Sequence, residues 1–113
     1  MYDRLAKLVE RLHEKTARGE IAWERSADGR FESSFPGFTI EVYEKGSGSP
    51  MWWGIRIYNE EGEMVDDVDD SDLATHVPGH QWENMLKGIY EMARRKALRI
   101  DQAIDALISE LDK

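Results

Sequence analysis

The stretch Phe38-Thr39-Ile40-Glu41-Val42-Tyr43, followed after a short spacer by Met51-Trp52-Trp53-Gly54-Ile55-Arg56-Ile57-Tyr58, decides the fold. In the first segment Phe38, Ile40 and Val42 alternate with Thr39, Glu41 and Tyr43. In the second, Met51, Trp53, Ile55 and Ile57 alternate with Trp52, Gly54, Arg56 and Tyr58. A period of two puts one set on a buried face of a pleated strand and the other set on the opposite face. The spacer Gly46-Ser47-Gly48-Ser49-Pro50 has the composition of a flexible hairpin loop. Two neighbouring antiparallel strands are therefore expected.

Toward the N-terminus the alternation continues through Phe31, Ser33 and Phe35, and again through Ile21, Trp23 and Arg25. Asp28-Gly29 separates these two segments with a strong hairpin signal. Pro36-Gly37 ends the second, because Pro lacks an N–H and Gly permits positive φ. Ahead of them, residues 2–18 carry Leu5, Leu8, Val9 and Leu12 at the spacing of one helical face, with Thr16 extending the stripe. Gly19 stands where a left-handed cap would end that helix.

Toward the C-terminus, Asn59 to Glu63 reads as a turn and Met64 to Val68 as a short fifth strand. Asp69 to Gly79 is expected to be a loop pinned to the core by Leu73 and Val77. A long helical stripe follows through Trp82, Leu86, Ile89, Ala93, Ala97, Ile100, Ile104, Leu107 and Leu111. Unbroken, it would span about 48 Å at 1.5 Å per residue, long for a domain of this size. A break near Arg99–Asp101, with Asp101 as N-cap, is the expected resolution.

Short connections favour an antiparallel meander, since parallel neighbours require long crossovers. The expected fold class is α+β in a single domain over residues 1–113: an N-terminal helix, four or five antiparallel strands, and a C-terminal helix or helix pair. Both ends would pack on one sheet face as a two-layer sandwich. The expected core combines Leu5, Leu8 and Leu12 with Ile40, Val42, Trp53, Ile55 and Ile57 of the sheet, and with Leu86, Ile89 and Ile104.

The 113 residues are 41% apolar and 34% charged, the balance of a globular domain rather than a disordered tail. No apolar run approaches the length of a membrane span. The residues Met1-Tyr2-Asp3-Arg4-Leu5 lack the apolar centre of a secretory signal, and cysteine is absent. A cytoplasmic location is the expectation. The net charge of −8 arises within residues 60–79, which hold eight acidic and no basic side chains. Free nucleic acid is an unsuitable partner, because phosphate affinity comes from clustered Lys and Arg.

The face carrying Trp52, Arg56 and Tyr58, with Tyr43 and Thr39 beside them, has the aromatic-plus-Arg composition of protein interfaces, and is the expected partner-binding surface. It is also the composition of a stacking platform for a planar ligand. The competing reading is a face covered by the N-terminal helix. The acidic residues Asp66, Asp67, Asp69 and Asp70 form a second candidate surface, for docking a basic partner, against the plainer reading of a solvated edge. Arg95 and Arg99 share a helical face and form a candidate anion site, against the plainer reading of ion pairs with the acidic segment. His76 and His80, interrupted by Pro78-Gly79, do not make the helical zinc motif, and counting from Asp67 fails the calcium-loop pattern. No metal site, cofactor motif or catalytic nucleophile can be assembled.

In size, acidity and element order the chain is loosely similar to secretion chaperones and bacterial immunity proteins, a likeness that implies binding rather than catalysis. The expected function is a non-catalytic protein-interaction module, acting on itself as a homodimer or on another protein. The alternative is a small-ligand binder that sequesters an anionic or aromatic metabolite.

Overall fold

A computed structural model describes residues 2–46 and 51–113; the expected Gly/Ser/Pro spacer at residues 47–50 lies outside the described residues. The elements run α1 (Tyr2–Ala17), β1 (Glu24–Ala27), β2 (Arg30–Phe35), β3 (Phe38–Lys45), β4 (Trp52–Asn59), β5 (Met64–Asp69), α2 (Asp70–His76), α3 (Trp82–Ala97) and α4 (Ile100–Leu111). The five strands form one antiparallel sheet in chain order. This is the α+β architecture read from the alternation.

Helix α1 buries Leu5, Ala6, Val9, Leu12 and Thr16, the face that its apolar spacing dictates. It ends in a Schellman motif: Gly19 takes φ +74°, its N–H donates to Thr16 O, and the Glu20 N–H donates to Lys15 O. The chain then drops Ile21 and Trp23 into the core, where the Trp23 indole N–H donates to Thr16 Oγ1 at 3.3 Å. The first strand therefore starts later than the alternation suggests, at Glu24 opposite Glu32. Ile21 and Trp23 are buried ahead of the ladder, which is why they mimic a strand.

On the sheet, Phe31, Ile40, Val42, Trp53, Ile55 and Val68 face the helices and join α1 and α3 in one core cluster. The register pairs Val42 with Ile55 and Ile40 with Ile57, so the two stripes of the deciding stretch fall on one face as expected. Helix α3 buries Trp82, Leu86, Ile89, Tyr90 and Ala93 against the same face.

Three expectations are corrected here. Residues 70–76 are helical rather than loop, because Asp69 and Asp72 form a capping box: Asp69 Oδ1 accepts the Asp72 N–H at 2.8 Å and Asp72 Oδ2 accepts the Asp69 N–H at 3.2 Å. Leu73 pins this helix to the core as anticipated. The long C-terminal helix does break, but Arg99, not Asp101, is the N-cap residue, in left-handed geometry at φ 52°, ψ 45°. Asp101 falls in the first turn of α4. Beyond the break no residue of α4 is buried, and Ile104, expected in the core, is 44% exposed. Helix α4 extends from the body, and the molecule measures 56 × 33 × 27 Å.

Candidate functional site

The sheet face turned away from the core carries the residues singled out by alternation. The pleat puts Thr39, Glu41 and Tyr43 of β3 beside Tyr58, Arg56 and Gly54 of β4, and Arg56 beside Asp67 of β5. The side chains are tied together. Glu41 accepts from Ser26 Oγ at 3.0 Å and from the Tyr58 hydroxyl at 3.3 Å, with Arg56 Nη1 at 3.5 Å. Arg56 Nε donates to Asp67 Oδ2 at 3.3 Å, and the Tyr43 hydroxyl donates to Asp67 Oδ1 at 2.6 Å. The Arg56 guanidinium also sits 4.2 Å from the Tyr43 ring centroid.

Tyr43 and Glu41 are each only 5% exposed although they stand outside the core cluster. They are covered by their own neighbours. Burial, and then the bond to Asp67, raise the Tyr43 phenol above its ordinary range. Burial and the Glu41 charge raise Tyr58 likewise. For Arg56 burial acts downward, but the bond and charge of Asp67 outweigh it and hold the guanidinium raised.

Of the expected partner-binding residues, Tyr43, Arg56 and Tyr58 are thus joined in one lattice, with Thr39 at its end opposite Tyr58. Trp52 sits apart and exposed, opposite Lys45. It borders a cavity of about 700 Å³ whose lining includes Trp53, Trp82, Asp70, His80 and Gln81. Periodicity did not reveal Glu41, Asp67 or Ser26 as members of the lattice. The signal was there for Glu41, since a hairpin register that pairs Val42 with Ile55 also sets Glu41 against Arg56.

The acidic residues are dispersed by the fold. Asp67 belongs to the lattice, Asp69 caps α2, and Asp70 Oδ1 accepts the Trp53 backbone N–H at 3.0 Å. Asp66 pairs in register with Ile57, and its carboxylate accepts the Asp67 N–H. Burial raises the Asp69 carboxyl, against the bond from the Asp72 N–H and with help from the charges of Asp72 and Asp70.

The basic cluster is separated too. Arg95 pairs with Asp101 across the helix break rather than with the acidic segment, and Arg99 is itself the break. The two therefore do not share one helical face. His76 stacks on Tyr2 at 3.9 Å between centroids, and His80 tilts against Trp82. Among the described residues no cluster of three metal-ligating side chains occurs, and no helix is long and apolar enough to cross a membrane.

Two apolar features remain uncovered. Helix α4 carries Ile100, Ile104, Leu107, Ile108 and Leu111 at helical spacing, and Leu107 and Leu111 are 61% and 82% exposed. Beside α1, a groove of about 370 Å³ is floored by Leu8, Leu12, Ile40 and Ile57. Phe35 and Phe38, paired across the β2–β3 hairpin, form its lip, while Arg11 and Lys15 stand over it from α1. Comparison with family models, curated proteins and solved structures finds no match for this chain.

Proposed function

We propose that the protein is a non-catalytic interaction module whose contact surface is the apolar stripe of α4. The single observation that carries this is the stripe itself: five aliphatic side chains at helical spacing on a segment with no buried residue. An isolated helix of this length is marginal in water, and stability normally comes from covering such a face. Tyr43, Arg56 and Tyr58 of the aromatic sheet face and the acidic residues Asp66, Asp67, Asp69 and Asp70, from the surfaces expected by alternation and charge, are engaged in bonds within the chain. They leave less for a partner than α4 does.

The test is the stability of the monomer in dilute solution. Leu107→Ala and Leu111→Ala should leave urea unfolding of the core unchanged within about 0.5 kcal/mol, the range of surface substitutions. A loss of about 2–5 kcal/mol would identify the stripe as core and overturn the proposal.

A ligand-binding reading rests on the cavity beside Trp52, where three indoles meet Asp70, His80 and Gln81. Thermal shift against aromatic and anionic metabolites tests it. A ligand at a hundred times its Kd would add about 2.7 kcal/mol, and no shift across the panel removes the reading.

A further inference from the structure

We infer that two copies of the chain associate about a twofold axis, the α4 of each lying in the α1–sheet groove of the other. The inference rests on the reading of α4 as a contact surface and names its occupant. The same chain holds an uncovered apolar helix face and an uncovered apolar groove. Seating one in the other covers both, and a twofold axis repeats the contact and closes the assembly.

Charge favours the same arrangement. Within α4, Asp101, Asp105 and Glu110 are acidic and no residue is basic; Asp101 is held by Arg95 and Glu110 by Lys113, which leaves Asp105 as the acid with no ion pair among the described residues. The polar side chains over the groove are Arg11 and Lys15. Lys15 meets Glu20 at 3.3 Å in an exposed pair, whereas Arg11 has no ion pair among the described residues. The stripe from Ile100 to Leu111 runs about 17 Å at 1.5 Å per residue, a short element suited to a groove beside one helix.

The geometry at the break points to a second copy rather than to the chain's own groove. Arg99 is the only non-glycine residue with positive φ among those described, a conformation that persists only where its surroundings impose it. Lys96 Nζ donates to Gly19 O at 3.0 Å, which ties the end of α3 to the end of α1, and Arg95 pairs with Asp101 across the break. These ties direct α4 outward. In this orientation no residue of α4 is buried against its own chain, and its stripe is open to a neighbour's groove.

Sedimentation equilibrium on the full chain tests the arrangement. The wild type should be a dimer. Leu107→Asp on the helix and Phe38→Asp on the lip should each give folded monomers; Phe38 is 51% exposed, so the change is compatible with folding, and circular dichroism checks it. Mixed in equal amounts, the two variants should form a weaker heterodimer, because the intact α4 of one meets the intact groove of the other. Arg11→Glu with Lys15→Glu should weaken the wild-type dimer, and Asp105→Lys should restore part of it. A strictly monomeric wild type, or a mixture that never associates, overturns the inference. So does a Phe38→Asp chain that dimerises like wild type; if Leu107→Asp is then monomeric, α4 survives as the contact surface and only its seat in the groove is refuted.

Discussion

The Tyr43 phenol lies directly over Gly54, its cross-strand partner: a Cβ added at position 54 would stand 2.5 Å from the Tyr43 oxygen and 2.8 Å from Val68 O. Glycine in a strand interior weakens the strand, yet here it makes room for an aromatic ring that in turn bonds Asp67. Gly54→Ala should therefore destabilise the protein by roughly 1–3 kcal/mol, as for overpacking of a filled site. In a Tyr43→Ala background the same change should cost less, with a remainder set by the Val68 carbonyl. Urea unfolding of the four variants gives the coupling, and additive losses would show that the ring does not occupy the space above Gly54.

The raised Tyr43 phenol makes a prediction at high pH. The folded protein holds this proton more tightly than the unfolded chain, whose tyrosines titrate near about 10. The stabilisation is complete below that value and drains away as pH climbs above it. Tyr43→Phe should lose about 1.5–3 kcal/mol at pH 7, the worth of a hydrogen bond to a charged group. It should also show a shallower loss between pH 10 and 12. Some slope will persist, because burial raises Tyr58 and Tyr90 as well. Equal slopes in both proteins would remove Tyr43 from the titrating set.

Asp69 behaves in the same sense for a different reason. Its carboxyl is raised in the fold, so its ionisation works against folding. Stability is full below the ordinary carboxylate range and is lost as pH rises through the folded value. Asn caps helices as well as Asp does, so Asp69→Asn should keep the α2 cap without the charge. It should match or exceed wild type at pH 7, an advantage that fades below about pH 4. Asp69→Ala should lose about 1 kcal/mol. Equal losses for Asn and Ala, measured by thermal melts, would contradict the capping role.

Arg56 holds together two carboxylates on the outer face. Glu41→Gln retains acceptor and donor groups for Ser26 and Tyr58, and should cost at most about 1 kcal/mol. Arg56→Ala leaves Glu41 buried without its cation. A fully buried charge so stranded costs about 3–5 kcal/mol; with the Arg56 side chain 24% exposed, roughly 1–3 kcal/mol is expected. Guanidinium unfolding ranks the two, and the reverse order would mean that Glu41 is satisfied without Arg56.

Ile55 and Ile104 separate the core from α4. Ile55 is fully buried, and Ile55→Ala should cost about 2–5 kcal/mol. Ile104→Ala should move the unfolding of the monomer by no more than about 0.5 kcal/mol. A core-sized loss at Ile104 would mean that α4 packs on its own sheet in solution.

Alternation in Phe38–Tyr43 and Met51–Tyr58 was enough to specify the antiparallel strands and the burial of Val42 and Ile55; the register that pairs Ile40 with Ile57 came from the structure. The turns at Asp28-Gly29, Pro36-Gly37 and Gly19 were equally legible, because φ preference is a property of the residue itself. The capping box at Asp69 and Asp72 could have been read, but it was hidden within an acidic segment that invited a reading by charge alone. Tertiary structure alone settled that Glu41 is buried on a face no helix covers, that Tyr43 needs Gly54 beneath it, and that α4 stands clear of the core. Periodicity states which side chains share a face; what covers that face depends on three-dimensional neighbours distant in the chain. The stripe from Ile100 to Leu111 is legible in the sequence as an apolar helix face, and only the left-handed turn at Arg99 directs it away from its own sheet.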